Sequence, residues 1–242
     1  MADHHILVIP TFNERGNLPP LLAEIFRLPL PELTVLVVDD ASPDGTGEVA
    51  ESLRASYGRL RVLHRPAKAG LGTAYVAGFE AALRLGADVV LQMDADFSHD
   101  PAVVSVLLRV LADGADVALG SRYVSGGRIV NWEWLRRLIS RAGNWYARTA
   151  LGLPIRDLTG GFKAYRRHVL EAINLTTLSS IGYNFQIETT ARAVWGGFRV
   201  VEVPITFTER RYGRSKFDAG IMAEAFAKVW RLRREQPGRR ET

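Results

Sequence analysis

Acidic and polar side chains follow three apolar segments in the first half of the chain. The segment 10–14 follows the first apolar run, Asp39 and Asp40 end the second, and Asp94 and Asp96 follow the third. Two carboxylates spaced i, i+2 can bind a hard cation such as Mg²⁺ or Mn²⁺ from one side. Diphosphate oxygens and water then complete the coordination shell. The pattern therefore predicts a divalent-metal site that faces a diphosphate.

A single Asp-x-Asp pair has a second interpretation. Asp94 and Asp96 would then be two solvated loop acids that cap the helix beginning near Pro101. Three acidic strand ends in register favour the metal site, because the carboxyl ends of parallel strands open onto one crevice.

Basic residues are concentrated in two later segments. Residues 122–148 carry six arginines against one acid, and they are interleaved with aromatic residues that include Trp132, Trp134, Trp145 and Tyr146. A helix over 133–151 would place Trp134, Leu138, Trp145 and Tyr146 near one broad face, which suits an interfacial helix on anionic lipid. An ordinary core-packing helix with solvated arginines is the alternative. The second segment, 209–216, is a cationic loop in which Gly213 allows a sharp turn over a bound diphosphate.

Composition excludes several classes of protein. Of the 242 residues 47% are hydrophobic and 24% charged, which excludes disorder and collagen. With no cysteine, disulfide scaffolds, zinc fingers and thiol nucleophiles are excluded. The net charge of +5 and the pI near 9.7 favour an anionic partner. We expect a cytoplasmic protein whose membrane contact is peripheral, because no apolar run reaches the length of a membrane span.

The elements that position these residues alternate between strand and helix in the first half. Strands are predicted at 6–9, 33–38, 61–63, 88–93 and 116–119, and helices at 17–26, 47–55, 73–85 and 101–111. Unbroken apolar strands are typical of a parallel sheet covered on both faces. We therefore predict an α/β doubly wound sheet.

The second half is organised differently. The predicted order is loop 122–128, helix 133–151, loop 157–165 entering a short strand, helix 184–194, strand 199–207, the cationic loop and helix 217–234. No linker is evident, so residues 1–242 are predicted to form one domain with a tail at 235–242.

Eight segments together resemble a known family. They are Ile9-Pro10-Thr11-Phe12-Asn13-Glu14, Val38-Asp39-Asp40-Ala41-Ser42-Pro43-Asp44-Gly45-Thr46, Lys68-Ala69-Gly70-Leu71-Gly72-Thr73-Ala74-Tyr75, Met93-Asp94-Ala95-Asp96-Phe97-Ser98-His99, Gly120-Ser121-Arg122-Tyr123, Thr159-Gly160-Gly161-Phe162, Val203-Pro204-Ile205-Thr206-Phe207 and Tyr212-Gly213-Arg214-Ser215-Lys216. Over residues 6–230 the chain resembles the polyprenol-phosphate (dolichol-phosphate) mannose synthases of glycosyltransferase family 2, of the actinobacterial type. The resemblance implies a GT-A-like fold with a mostly parallel central sheet and helices on both faces. It also implies a nucleotide-sugar-binding half at 1–121 and an acceptor and membrane-facing half at 122–234.

The resemblance assigns the donor site residue by residue. Pro10, Phe12 and Glu14 would contact the guanosine of GDP-mannose, and the family often has Tyr where Phe12 stands. Val38 and Asp40 would hold the base and ribose.

The same resemblance assigns the metal and the phosphates. Asp94 and Asp96 would bind Mg²⁺ or Mn²⁺, with the Ala95 backbone against the nucleotide. Some relatives carry a Gln ligand where this chain has Ser98, so no third protein ligand is expected here. Phosphates of donor or acceptor would be bound by Arg122, Arg210 and Lys216. The implied catalytic set is Asp94, Asp96, Arg122 and Arg210.

The implied reaction transfers mannose from GDP-mannose to a polyprenyl monophosphate, with inversion at the anomeric carbon. One alternative is a polyprenyl-phosphate glucosyltransferase that uses UDP-glucose, and another is a non-catalytic nucleotide-sugar-binding scaffold at the membrane. The expected partners are the two substrates, an anionic membrane surface at the cytoplasmic face and an integral membrane protein. Nucleic acid is not expected, because no nucleic-acid module accompanies the basic segments.

Overall fold

The computed structural model describes residues 3–178, 183–209 and 228–236. The strands are β1 (His5–Thr11), β2 (Leu33–Asp39), β3 (Leu60–His64), β4 (Val89–Gln92), β5 (Val117–Ser121), β6 (Arg128–Val130), β7 (Lys163–Arg166), β8 (Val200–Pro204) and β9 (Thr206–Thr208). The helices are α1 (Leu18–Phe26), α2 (Thr46–Leu53), α3 (Leu71–Arg84), α4 (Val103–Ala112), α5 (Trp134–Leu151), α6 (Arg167–Ala172) and α7 (Tyr183–Trp195). Residues 228–234 are also helical, and a short 3₁₀ turn covers Leu175–Thr177.

The central sheet of the described residues has seven strands in the order β3-β2-β1-β4-β7-β5-β8. β7 runs antiparallel to both of its neighbours, β4 and β5, whereas the other pairs are parallel. The prediction of a mostly parallel sheet is therefore confirmed. Strands β1, β2 and β4 lie side by side and point the same way, so the three acidic segments share one edge of the sheet.

Helices cover both faces of this sheet, as predicted. Alternate residues of β1 point into different cores, because successive strand side chains face opposite ways. Leu7 and Ile9 join a core formed with α1, α2 and α4. Ile6 and Val8 join a core formed with α3, α6 and α7.

A third core connects the second half of the chain to the sheet. Ala147 and Leu151 of α5 pack with Ile187 of α7 and with Val229 and Leu232 of the helical segment 228–234. The inner face of α5 is therefore an ordinary packing face. Tyr146, which the helix pattern predicted on the aromatic face, packs partly buried against this core instead.

The strand predicted over 199–207 is wrong as a single element. The chain leaves the central sheet after Pro204, and β9 pairs with β6 in a separate two-stranded ribbon. Ile205 joins the two sheets, because its N–H donates to the carbonyl of Ser121 in β5 at 3.0 Å and its carbonyl accepts from the N–H of Arg128 in β6 at 2.9 Å. Helix α6 was not predicted from the sequence. Of the predicted helix 217–234, residues 217–227 lie outside the described residues.

Candidate active site

Both carboxylates at the end of β2 already have partners within the protein. Asp39 accepts hydrogen bonds from Thr11 Oγ1 at 3.1 Å and from Ser42 Oγ at 2.5 Å. Asp40 is ion-paired with Arg65 and also accepts from the backbone N–H of Ala69 at 3.4 Å. Any contact of Asp40 with a ribose is therefore made by a carboxylate that is already paired.

The segment predicted to hold the nucleotide is partly open. Pro10 is buried, whereas Phe12 and Glu14 are half-buried. The ammonium of Lys68 lies 3.8 Å from the ring centroid of Phe12, a cation–π contact that the sequence analysis did not predict. Glu14 accepts from Asn17 Nδ2 at 2.6 Å.

Val38 cannot serve the donor through its side chain. That side chain is fully buried in the core beneath α3. The role predicted for Val38 is therefore open only to its main chain, whose carbonyl oxygen lies 3.4 Å from Thr11 Oγ1. Ala95 is similar, since its side chain is buried and its backbone follows β4.

The Asp-x-Asp pair stands at the end of β4. Asp94 is half-buried, and its Oδ1 accepts from the hydroxyl of Tyr75 at 2.8 Å. Asp96 is 7% exposed, and its Oδ1 accepts from the backbone N–H of Ser98 at 3.1 Å and from Ser98 Oγ at 2.5 Å. Ser98 thus supports Asp96. Burial, together with the charge of Asp94, raises the pKa of Tyr75 well above its ordinary value, so the hydroxyl keeps its proton.

These two carboxylates fit a hard divalent cation. Carboxylate oxygens are the ligands that Mg²⁺ and Mn²⁺ prefer, and such ions usually retain water and substrate phosphate as further ligands. Within the described residues, no group of three or more His, Asp or Glu side chains is arranged to hold a metal. The remaining coordination positions would fall to a diphosphate and to water.

His99 lies between this pair and the next element of the site. Its ring packs against Phe162 and Phe207 at centroid distances of 5.0 and 5.4 Å. Burial lowers the pKa of His99 to about 4, and the nearby charge of Arg122 acts in the same direction. The imidazole is therefore neutral at physiological pH.

Arg122 at the end of β5 forms a buried bidentate ion pair with Asp157. Its Nε donates to Oδ2 at 2.8 Å and its Nη2 to Oδ1 at 2.7 Å. Burial alone would raise the pKa of Asp157, but Arg122 holds that pKa below its usual range. Arg122 also lies 5.3 Å from the ring centroid of Phe207. Two of its three guanidinium nitrogens are thus committed to Asp157, which the sequence analysis did not predict as a partner.

Two consecutive glycines bring this ion pair close to Asp94. A Cβ added to Gly160 would lie 3.6 Å from the carboxyl carbon of Asp157. One added to Gly161 would lie 3.3 Å from Oδ2 of Asp94. Small residues at both positions let the loop pass between the two carboxylates.

Arginine-lined cavities open beside Arg122. One has a volume of about 410 Å³ and the other about 290 Å³, and both are bounded by Arg122, Gly127 and Arg141. Arg148, Arg156 and Trp145 complete the larger cavity, and no acidic side chain lines it among the described residues. The arrangement suits an anion with an apolar attachment.

Arg210 and Lys216, which were predicted to bind phosphate, lie outside the described residues. The chain is described up to Glu209, which accepts from Arg136 Nη1 at 2.7 Å. One residue earlier, the N–H of Thr208 donates to the carbonyl of Ser98 at 3.2 Å. The strand that leads to the cationic segment is therefore bonded to the loop that carries Asp96.

The outer face of α5 is apolar and basic. Trp134 is 75% exposed, Leu138 56% and Trp145 69%. Arg137, Arg141 and Arg148 are also exposed on this helix. No helix within the described part of the chain is long and apolar enough to cross a membrane.

Comparisons with known proteins agree with this geometry. Residues 6–173 match the model of the family described as Glycosyl transferase family 2. The chain is 51% identical over 231 residues to a polyprenol monophosphomannose synthase from Mycolicibacterium smegmatis, covering 94% of this chain and 87% of the relative. It is 49% identical over 226 residues to an undecaprenyl-phosphate mannosyltransferase from Micrococcus luteus, covering 93% and 92%.

Solved structures share the fold at low identity. A glucosyl-3-phosphoglycerate synthase from Mycobacterium tuberculosis, solved with Mn²⁺ and UDP, superposes with a TM-score of 0.71 at 20% identity, covering 98% of this chain and 82% of that one. A mannosyltransferase from Pyrobaculum calidifontis, solved with GDP-Man and Mn²⁺, gives 0.64 at 19% identity, covering 96% and 65%. At this level the likeness establishes the GT-A fold.

Proposed function

The chain belongs to glycosyl transferase family 2, and on that premise we propose that it transfers mannose from GDP-mannose to a polyprenyl monophosphate, releasing GDP. It is a glycosyltransferase, and two relatives at about half identity carry polyprenyl-phosphate mannosyl transfer in their names. The proposal further specifies that the donor is GDP-mannose, that a divalent metal ion assists transfer and that the anomeric carbon is inverted.

The observation that carries the proposal is the adjacency of an acidic strand end and an arginine-lined cavity. Asp94 and the Arg122–Asp157 pair flank Gly160 and Gly161, and the larger cavity begins at Arg122. A donor diphosphate on the acidic side and an acceptor phosphate on the basic side would meet at this junction. Guanidinium groups are well suited to bind phosphate oxygens there.

An acceptor phosphate explains why the site needs no general base. A phosphate monoester is already largely anionic at neutral pH, since its second pKa is about 6. The buried imidazole nearest the pair, His99, is neutral and packed between two aromatic rings. The main task of the residues is to hold two anions together in a fixed geometry.

Asp94 and Asp96 would hold Mg²⁺ or Mn²⁺ against the donor. A bound divalent cation supplies Lewis-acid neutralisation of the charge that develops on the departing GDP. The chain itself fixes the two carboxylates through Tyr75 and Ser98. A single in-line displacement by the acceptor oxygen would invert the anomeric carbon.

The donor nucleoside would lie across the end of β1 and β2. Phe12 and Glu14 present half-buried side chains there, and the main chain at Val38 and the paired carboxylate of Asp40 form the neighbouring strand end. Arg210 and Lys216 remain proposed phosphate ligands on the strength of the sequence resemblance alone.

We also propose that α5 docks the enzyme on the cytoplasmic face of the membrane. An exposed aromatic stripe flanked by arginines is typical of helices that lie in an anionic interface. Trp145 lines the larger cavity and is also exposed, so a lipid acceptor could enter along this face. An integral membrane partner is a further proposal. One domain, divided near residue 121 into donor and acceptor halves, is the organisation we expect.

A turnover assay tests the proposal. The purified chain is incubated with polyprenyl phosphate and Mn²⁺, and GDP-mannose, GDP-glucose and UDP-glucose are supplied in separate reactions. We expect a lipid-linked sugar with GDP-mannose, little or none with GDP-glucose or UDP-glucose, and a β-linked mannose by NMR. Preferred use of UDP-glucose would replace the donor assignment, and an α-linked product would contradict a single displacement.

A further inference from the structure

The side chain of Tyr75 reaches the metal motif from inside the core. Its hydroxyl donates to Oδ1 of Asp94 at 2.8 Å. Tyr75 itself has no exposed surface. It can therefore act on the donor only through Asp94, which is half-buried at the cleft.

The ring of Tyr75 is held in place by two neighbours. It stacks on Phe185 of α7 with centroids 5.7 Å apart and an interplanar angle of 4°. Phe79, one turn later on α3, packs against it at 5.8 Å. Because two aromatic rings pack against the fully buried Tyr75 ring, its hydroxyl has little freedom to leave Asp94.

Gly78 allows helix α3, which carries Tyr75, to pack closely on the sheet. A Cβ added to Gly78 would lie 2.4 Å from Cγ1 of Val8 and 3.0 Å from Cγ2 of Val38. Helix α3 thus rests directly on β1 and β2 through the backbone at Gly78. Since β4 is the neighbour of β1 in the sheet, this close approach holds α3 near the strand that carries Asp94 at its end.

We propose that Tyr75 is a positioning residue, whose hydroxyl fixes the Asp94 carboxylate in the orientation that meets the divalent cation and the donor diphosphate. This inference rests on the proposed function. A carboxylate at a strand end turns about two side-chain torsions, and an outer hydrogen bond that selects one orientation strengthens its binding of metal. The simpler interpretation, that Asp94 only satisfies a buried hydroxyl, predicts an effect on stability and none on metal affinity.

Tyr75→Phe separates the two interpretations, because it deletes only the hydroxyl. We expect Mn²⁺ binding, followed by calorimetry or by the EPR signal of free Mn²⁺, to weaken by about tenfold to a hundredfold. The Mn²⁺ concentration for half-maximal transfer should rise by a similar factor. Saturating Mn²⁺ should restore kcat, because Asp94 and Asp96 are both still present.

Tyr165→Phe is the matched control. Tyr165 is also fully buried, and its hydroxyl donates to Gln92 Oε1 at 3.2 Å. The same atom is deleted from the same core, so a similar loss of thermal stability is expected with wild-type Mn²⁺ affinity. Phe185→Leu is a second variant, which loosens the Tyr75 ring and keeps its hydroxyl, and it should weaken Mn²⁺ binding by a smaller factor.

The outcomes distinguish this inference from the proposed function. Equal Mn²⁺ affinity in wild type and Tyr75→Phe overturns it, and so does an equal loss in Tyr165→Phe. If the wild type binds Mn²⁺ but transfers nothing from GDP-mannose, the donor assignment fails while the Mn²⁺ comparison still decides the role of Tyr75. If the wild type binds no Mn²⁺ with or without GDP, the metal site and the role of Tyr75 both fail.

Discussion

Asp94 and Asp96 occupy one strand end, yet the protein supports the two carboxylates in different ways. Asp94 is held by a tyrosine from another element, 19 residues away in the chain. Asp96 is held by Ser98, two residues away, through both its backbone and its hydroxyl. Loss of the Asp96 carboxylate would therefore remove the hydrogen bonds that order its loop. A substitution that tests the metal site should keep an oxygen acceptor at this position.

Asp96→Asn tests the metal site with little damage to the fold. The amide oxygen still accepts from Ser98, whereas alanine would leave the buried Ser98 donors without a partner. We expect transfer to fall by at least about a hundredfold, since a neutral amide is a poor ligand for a hard cation. Turnover measures the loss, and thermal melting should change little.

Removal of the metal is a separate test. EDTA should abolish wild-type activity, and added Mn²⁺ or Mg²⁺ should restore it. Activity that survives excess chelator would contradict the assignment.

Lys163 predicts a pH dependence of stability. Its ammonium is fully buried, donates to the carbonyl of Gln186 at 2.8 Å and to Thr189 Oγ1 at 3.2 Å, and burial lowers its pKa from 10.5 to about 7. Between those values the unfolded chain binds a proton that the folded chain does not. Stability should therefore rise with pH, by roughly 2 kcal/mol from this group between about pH 7 and 9.

The measurement is urea unfolding at the two pH values. Lys163→Met should remove this part of the increase, whereas Lys68→Met, at a position exposed in the folded chain, should leave it intact. If the free energy of unfolding of Lys163→Met depends on pH as that of the wild type does, Lys163 stays charged in the folded protein.

At the residue scale, local relations were predictable from sequence and distant ones were not. The Asp94–Asp96 spacing and the acidic strand ends are short-range patterns. The Arg122–Asp157 pair joins residues 35 apart, and nothing in the sequence around either residue indicates the other. Likewise, Tyr75 ends one of the segments on which the family resemblance rests, but its contact with Asp94 could not be predicted. That contact depends on how closely α3 packs on the sheet.

Helix α5 has one face for the core and one for the outside. Asn144, Ala147 and Leu151 are buried, while Trp134 and Trp145 are largely exposed. The buried face agrees with the core-packing interpretation, whereas the exposed face is where the proposed contact with anionic lipid would be made. Exposed tryptophans contribute little to folding, so their substitution separates docking from stability.

Substitution of both exposed tryptophans of α5 tests lipid docking. Trp134→Ser with Trp145→Ser should weaken binding to anionic vesicles by at least about tenfold, because indole rings that would enter the interface are lost. Vesicle sedimentation measures this. Melting temperature and binding of GDP should stay near wild type. The exposed Val106 of α4, changed to Ser, is the control on another helix. Wild-type sedimentation of the double variant would move docking elsewhere.

At the element scale, periodicity predicted most helices and strands of the sheet but not its order. The antiparallel insertion of β7 between β4 and β5 is a pairing of strands that are distant in sequence. The split after Pro204 is a second example, since alternation of side chains continues into β9 while the partner strand changes. Hydrophobic patterning reports which face of a strand is buried and carries no information on its neighbour.

At the scale of the whole molecule, the charged side chains of the candidate site continue, within the described residues, into the exposed arginines of α5. Carboxylates stand at the end of β4, arginines line the adjoining cavities, and exposed arginines continue along α5. The net charge of +5 adds a general attraction to anionic surfaces. If the enzyme docks through α5 as proposed, its approach to the membrane should be electrostatic, and the exposed tryptophans should insert once contact is made.

This division of roles predicts how vesicle binding responds to salt. The Debye length shortens from about 10 Å at 0.1 M salt to about 3 Å at 1 M, so attraction of exposed arginines to anionic lipid should be screened, while apolar insertion should not. We expect binding to phosphatidylglycerol vesicles to fall by more than about tenfold over that range, and binding to neutral vesicles to be weak throughout.

The Arg137→Gln variant should bind anionic vesicles about fivefold more weakly than wild type at low salt, as expected for about 1 kcal/mol per basic residue near the surface. At high salt its affinity for vesicles should equal that of the wild type. Arg137 is chosen because it is exposed, whereas Arg136 is ion-paired with Glu209. The tryptophan double variant should keep the salt dependence of the wild type at a lower affinity throughout. Vesicle binding that does not change with salt, or that is equally strong on neutral vesicles, would contradict an electrostatic approach. Attachment would then depend on apolar insertion or on a protein partner.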